Sequence, residues 1–158
     1  MSPTRVVLCI DGGSPEALLE RALPLVDPAA VWVPTHVVDV RPRQALGFLR
    51  GGVVGAGPLS RGQQQALDAA TAEHTRSVLD AATSSLQRRG LAYAPPQIRT
   101  GEPGRELCGV AAFLRAELMV LFASRRPRPP VGPGSVGHTA RFVVDHAPCP
   151  VLVIREAH

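Results

Sequence analysis

The residues best placed to do chemistry lie between Ser124 and His138, where Arg125, Arg126 and Arg128 precede a Gly/Pro-rich turn containing Gly134, Ser135 and Gly137. A loop of this composition that opens a helix can hold a phosphate. The first N–H groups of the helix point at the anion, and guanidinium groups add charge and bidentate hydrogen bonds. The same arginines also read as a solvated surface. A second group, Asp11-Gly12-Gly13-Ser14, closes an apolar run, and an acidic side chain in such a turn accepts from nearby backbone N–H groups or faces a ligand.

Other chemistries find less support. Cys9, Cys108 and Cys149 form no Cys-x-x-Cys pair and read as reduced, buried thiols. His36, His74, His138, His146 and His158 do not recur at metal-ligand spacing, so no metal site is expected. His74 reads as a packed helix residue, and His36 and His138 as structural or exposed. No Ser-His-Asp order or paired carboxylate stands out, and no catalytic residue is assigned.

The 158 residues suffice for one substantial core, and the chain reads as a single domain, 1–158. No apolar run approaches the roughly 18 residues of a membrane span, and no cleavable leader precedes the run Val6 to Ile10. A cytoplasmic protein without a membrane partner is expected. The formal charge of +4 comes from arginines scattered over the chain, and aromatic residues make up only 4%. That pattern lacks the stacking platforms and basic stripe of a nucleic-acid binder.

Apolar runs bounded by turn signals mark the strands Arg5 to Ile10, Val31 to Val40, Gln97 to Thr100, Leu118 to Ala123 and Val151 to Ile154. Pro34 predicts regular pairing of the second strand only from Thr35 onward. Ser14 as N-cap and Pro15 start the first helix, whose stripe is Leu18, Ala22 and Leu25, with Pro24 ending or kinking it. Arg41 to Gly62 reads as a long, flexible, glycine-rich connection. Gln63 to Arg89 places Leu67, Ala70, His74, Val78, Ala81 and Leu86 at helical spacing before Gly90. A third helix begins at Gly101-Glu102-Pro103. The last carries Val136, Ala140, Val143, Val144 and Ala147 on one face, with Ser135 as a plausible N-cap. The order βαβαβαβαβ implies an α/β fold with a parallel sheet, and its ligand crevice lies beyond the carboxyl ends of the strands.

Four segments occur in a telling order: Asp11-Gly12-Gly13-Ser14 between strand and helix, Thr35-His36-Val37-Val38-Asp39, Gly101-Glu102-Pro103, and His146-Ala147-Pro148-Cys149-Pro150-Val151-Leu152-Val153-Ile154. In order and spacing the chain resembles the universal stress protein family over essentially its whole length. The resemblance implies a five-stranded parallel sheet in the order 3-2-1-4-5 with helices on both faces, of the Rossmann-like, adenine nucleotide alpha hydrolase-like kind, and usually a dimer. Because edge strands are covered or paired, the homodimer is expected to form through Val151 to Ile154.

In the nucleotide-binding branch of that family, the aspartate after the first strand and the valine after the strand-two histidine hold adenosine. A Gly-x-x-Gly pair and a later Gly-Ser/Thr hold the phosphates. Asp11 and Val37 match, and Ala123 ends the strand leading into the loop. Counting back from Gly137, the first two glycine positions fall on Ser124 and Pro127, and the hydroxyl position on His138. Proline fixes φ and removes a donor, so the resemblance implies a degenerate phosphate loop and weak or lost ATP binding. A second register takes Gly134-Ser135 as the family's Gly-Ser, with Arg125, Arg126 or Arg128 replacing lost donors. ATP or ADP is then the ligand, and Mg accompanies only a bound nucleotide. The expected role is stress-responsive and regulatory rather than enzymatic, with at most slow ATP hydrolysis. Asp11-Gly12-Gly13-Ser14 also resembles part of the Ser-Gly-Gly-x-Asp-Ser loop of ATP pyrophosphatases, which is a remote alternative.

Overall fold

A computed structural model describes residues 4–41, 59–123 and 135–155. Five strands, β1 (Arg5–Ile10), β2 (Val31–Asp39), β3 (Gln97–Gly101), β4 (Leu118–Phe122) and β5 (Val151–Ile154), form one parallel sheet in the order β3-β2-β1-β4-β5. β1 and β4 are apolar on both faces because helices cover both. Val6, Leu8 and Ile10 meet Leu18, Leu19 and Ala22 of α1 (Pro15–Ala22) and Ala82 and Leu86 of α2 (Arg61–Arg88). Val7 and Cys9 meet Leu107, Val110 and Ala111 of α3 (Pro103–Leu114) and Ala140 and Val143 of α4 (His138–His146). Two apolar layers thus clamp the central strands, as a doubly covered parallel sheet requires.

Local chemistry sets the helix ends. The Ser14 hydroxyl accepts from the Ala17 N–H at 3.3 Å, and Pro15 takes the first turn, where its missing N–H leaves no bond unmade. Pro24 ends α1 at Ala22, and a short 3-10 turn, Leu23–Leu25, follows. Leu25 is 68% exposed and leaves the expected stripe, since the tighter turn swings it off the buried face. α2 starts at Arg61, two residues before Gln63, because Ser60 and Gln63 form a reciprocal capping box. Gly90, at φ 64°, stops it. The buried side of α2 is Thr75, Leu79, Ala82, Ser85 and Leu86, whereas Ala70, His74 and Ala81 are exposed. The expected stripe ran along a neighbouring line because alanines and serines supply small positions on several faces, and only the last turns of the helix press on the sheet.

Pro34 acts on one side of β2 only. Pairing with β1 runs unbroken from Val31 to His36, Pro34 opposite Leu8, while the β3 ladder begins at Thr35. Trp32 exchanges backbone hydrogen bonds with Ala92 and Ala94, on the β3 side. Pro34, two residues on, turns the same way, so its missing N–H faces the side where no ladder has begun. β2 and β4 each end one residue earlier than predicted, although the Ala123 N–H still donates to Ile154 at 2.7 Å. Of the glycine-rich connection 41–62, residues 42–58 lie outside the described residues. Among the described residues, no helix is long and apolar enough to cross a membrane.

Candidate functional site

The strand order reverses between β1 and β4, so a crevice opens at their carboxyl ends. Ile10 lies opposite His36 and Leu8 opposite Val120. Carrying these parallel registers forward places Asp11, Val37 and Ala123 at one level, from three adjacent strands. Residues distant in sequence therefore share one rim. Val37 is half-buried against the α3 side, and Ala123 is buried.

The β1–α1 turn forms the floor of the rim. Gly12 has φ 95°, a conformation that side chains rarely adopt, and Gly13 allows close approach. A β-carbon on Gly13 would lie 3.1 Å from Asp11 Oδ1 and 3.2 Å from the Phe122 ring. Asp11 Oδ1 accepts from the Gly13 N–H at 3.0 Å, the backbone-capping role open to an acidic turn residue. The positive end of the α1 dipole lies at this turn.

Two imidazoles border the same turn. His36 is 7% exposed, and its Nδ1–H donates to the Ile10 carbonyl at 2.8 Å. A carbonyl only accepts, so the bond fixes the proton on Nδ1 and, in the neutral ring, leaves Nε2 an acceptor. His74 reaches over from α2: its ring meets that of His36 edge-on, centroids 6.0 Å apart, and its Nε2 lies 3.7 Å from where a Gly12 β-carbon would stand. Expected as a packed helix residue, His74 is exposed and covers the turn. Helical spacing alone carries no information about which loop a long helix overhangs.

At the ends of β2 and β3 an acid–base network forms. Arg41 clamps Asp39 with two nitrogens, Nε to Oδ1 at 3.0 Å and Nη2 to Oδ2 at 2.7 Å, and lies 3.9 Å from Glu102. Hydrogen bonding to Arg41 holds the Asp39 carboxyl below its ordinary range, against the opposing effect of partial burial. Glu102 caps α3 by accepting from the N–H groups of Gly104 and Arg105. The sequence marks Asp39 only as the end of the Thr35–Asp39 segment, and the two-residue spacing to Arg41 is the one hint of the pair.

Gly137, at φ 93°, is the N-cap of α4, and His138 is its first residue. Ser135 accepts from the Gly137 N–H at 3.1 Å and lies two residues before the cap, contrary to its expected place there. The local bond draws the serine into its own turn. Val144, 54% exposed, leaves the predicted face of α4, while Ala140 and Val143 are buried. Ser124, Arg125, Arg126, Pro127, Arg128 and Gly134 lie outside the described residues. The three cysteines converge on the α3/α4 side of the sheet: Cys9 is buried, and Cys108 and Cys149 are half-buried. Burial first, then the neighbouring Cys108, Cys149 and Asp11, push the Cys9 thiol far up. Among the described residues, no group of three or more His, Cys, Asp or Glu is arranged to hold a metal ion.

The model of the universal stress protein family matches residues 3–155. No curated protein sequence matches significantly. Among solved structures, a universal stress protein family member from Burkholderia pseudomallei is 28% identical with a TM-score of 0.61, covering 96% of this chain and 95% of that one. A family protein from Arabidopsis thaliana with AMP bound superposes with a TM-score of 0.63 at 16% identity, covering 98% and 93%. The universal stress protein from Archaeoglobus fulgidus in complex with dAMP gives 0.55 at 19%, covering 98% and 99%.

Proposed function

The chain belongs to the universal stress protein family, and on that premise we propose that it is a cytoplasmic, non-enzymatic regulatory protein with a nucleotide crevice that keeps its adenosine rim and has lost most of its phosphate cradle. Adenine nucleotides in the Arabidopsis thaliana and Archaeoglobus fulgidus proteins make this ligand class the natural one. The adenosine half of such a ligand is assigned to the rim at Asp11, Val37 and Ala123, beside the tight Gly12-Gly13 turn, in which a β-carbon on Gly13 would press on Asp11 and Phe122.

The observation that carries the reading is the position of Gly137. A glycine at φ 93° directly before the first residue of α4 suits the third glycine of the phosphate loop. That register puts Ser124 and Pro127 where the first two glycines belong and His138 where a small hydroxyl belongs. Two backbone contacts and one hydroxyl contact to phosphate are weakened together. The register through Gly134 and Ser135, with Arg125, Arg126 or Arg128 as the clamp and ATP or ADP bound with Mg, is the second reading. In that register the Ser135 hydroxyl, which accepts from the Gly137 N–H, keeps its own O–H to donate to a phosphate oxygen.

The protein acts as a homodimer through β5, an edge strand whose residues Val151, Leu152 and Val153 are only half-buried. Sedimentation at micromolar concentration is expected to give a dimer, and Val153→Lys a monomer. A monomeric wild type contradicts this. Mass spectrometry of ligand released from freshly purified protein tests the main reading. Little or no ATP or ADP is expected, and stoichiometric nucleotide would favour the arginine-clamp reading.

A further inference from the structure

Three thiols share the layer in which α3 and α4 pack on the sheet, and they differ in access. Cys9, on β1, is sealed at 5% exposure, whereas Cys108 and Cys149 are half-buried. Packing brings the outer two together. As crossover helices of a parallel sheet, α3 and α4 both run back from the carboxyl ends of the strands. They meet at Gly104, where a β-carbon would stand 2.7 Å from the Phe142 ring. Cys108 is one turn further along the Gly104 face of α3. One turn beyond Phe142, α4 ends at His146, and Ala147-Pro148-Cys149-Pro150 leads into β5. Along β5, Val151 and Val153 face α3 and α4 while Leu152 faces the opposite layer. Cys149, two residues before Val151, lies on the α3/α4 side with them. Cys108 and Cys149 therefore meet at the level where α4 gives way to β5.

We propose that Cys108 and Cys149 are a dithiol that a hydroperoxide closes into a reversible disulfide, Cys149 attacking the oxidant and Cys108 resolving the product. Pro148 and Pro150, on either side of Cys149, are exposed, so a small oxidant reaches that thiol from solvent. Burial alone raises the Cys149 thiol, whereas burial and then the neighbouring Cys149 and Glu102 raise Cys108. A thiol raised by its neighbour's charge ionises after that neighbour, so Cys149 is the first to offer thiolate, the form that reacts. Its sulfur attacks one peroxide oxygen, the O–O bond breaks, and the leaving hydroxide takes up a proton, giving a sulfenic acid and water. The Cys108 thiolate then attacks the Cys149 sulfur, the S–O bond breaks, and a second water leaves. Two thiols thus give two electrons and two protons to one peroxide. The link fastens α3 to the start of β5 and is independent of the nucleotide crevice.

The probe is hydrogen peroxide in excess over the folded full-length protein, followed by alkylation in denaturant, trypsin digestion and mass spectrometry. Cleavage after arginine leaves Cys9, Cys108 and Cys149 on separate peptides, 6–21, 106–115 and 142–155. A disulfide joining 106–115 to 142–155 within one chain is expected, removed by dithiothreitol, with Cys9 recovered as an alkylated free thiol. Cys108→Ser should stop the link and leave a Cys149 sulfenic acid that dimedone traps. Cys149→Ser should slow oxidation of the remaining thiols at least several-fold, circular dichroism verifying that both variants fold. The proposal is overturned by the lack of a link in the wild type, by a link that uses Cys9 or joins two chains, by no dimedone label on Cys149 in Cys108→Ser, or by an unchanged oxidation rate in Cys149→Ser.

Discussion

The Nδ1–H of His36 donates to the carbonyl oxygen of Ile10 across 2.8 Å, tying the last residue of β1 to a buried ring on β2 at the level where the crevice begins. The bond fixes the ring's orientation and occupies a carbonyl where the strand turns away into the glycine loop. Replacing the ring with a shape that cannot donate, His36→Phe, leaves the Ile10 carbonyl without this partner. A loss of about 1–3 kcal/mol is expected in urea unfolding. A change below 0.5 kcal/mol, on the order of a neutral surface substitution, would mean water replaces the bond freely.

The two glycines of the floor should fail for different reasons. Gly12→Ala has room, its nearest neighbour being His74 at 3.7 Å, but forces a side chain into φ 95°. Backbone strain of about 1–3 kcal/mol follows. Gly13→Ala instead drives a β-carbon against Asp11 Oδ1 and the buried Phe122 ring, so the turn must shift. Thermal unfolding should show both variants destabilised. Adding Phe122→Leu should relieve part of the Gly13→Ala loss and none of the Gly12→Ala loss.

The Asp39–Arg41 pair gives stability a pH dependence with a definite sign. Arg41 lowers the folded-state pKa of Asp39 below its unfolded value. Its contribution is therefore fully present above the unfolded value, about 3.9, and is lost as pH falls through the folded value. Both side chains are partly exposed, at 43% and 29%, which limits the contribution to about 0.5–1 kcal/mol. Asp39→Asn should be less stable than wild type at pH 6, and the gap should close below pH 3. A gap that widens in acid contradicts the assignment.

The sheet was legible because its signals are local. Continuous apolar runs such as Val6 to Ile10 mark strands buried on both faces, and Ser14-Pro15 and Gly90 mark helix ends by capping chemistry that does not depend on the rest of the chain. Of the proposed site, the sequence marked Asp11, directly after β1, and Val37, within β2, which the parallel register brings to one level. His74 was not. Its place over Gly12 depends on how a 28-residue helix lies across the sheet, which no spacing within that helix encodes. Asp39 and Glu102 lie in segments the sequence marked, but their meeting through Arg41 was not legible for the same reason: it occurs only because β2 and β3 end side by side. The meeting of Cys9, Cys108 and Cys149 beneath the sheet is likewise a product of topology.

If the phosphate half of the crevice is degenerate while the adenosine half is kept, calorimetry with Mg-ATP should separate wild type from Ser124→Gly/Pro127→Gly/His138→Ser. Each charge-assisted phosphate contact is worth about 1.5–3 kcal/mol, so restoring two should tighten binding by roughly two to four decades. Wild type is expected to bind weakly or undetectably, and the triple variant markedly more tightly. Submicromolar wild-type affinity, unchanged in the triple variant, would contradict this and place the phosphates in the Gly134-Ser135 register instead.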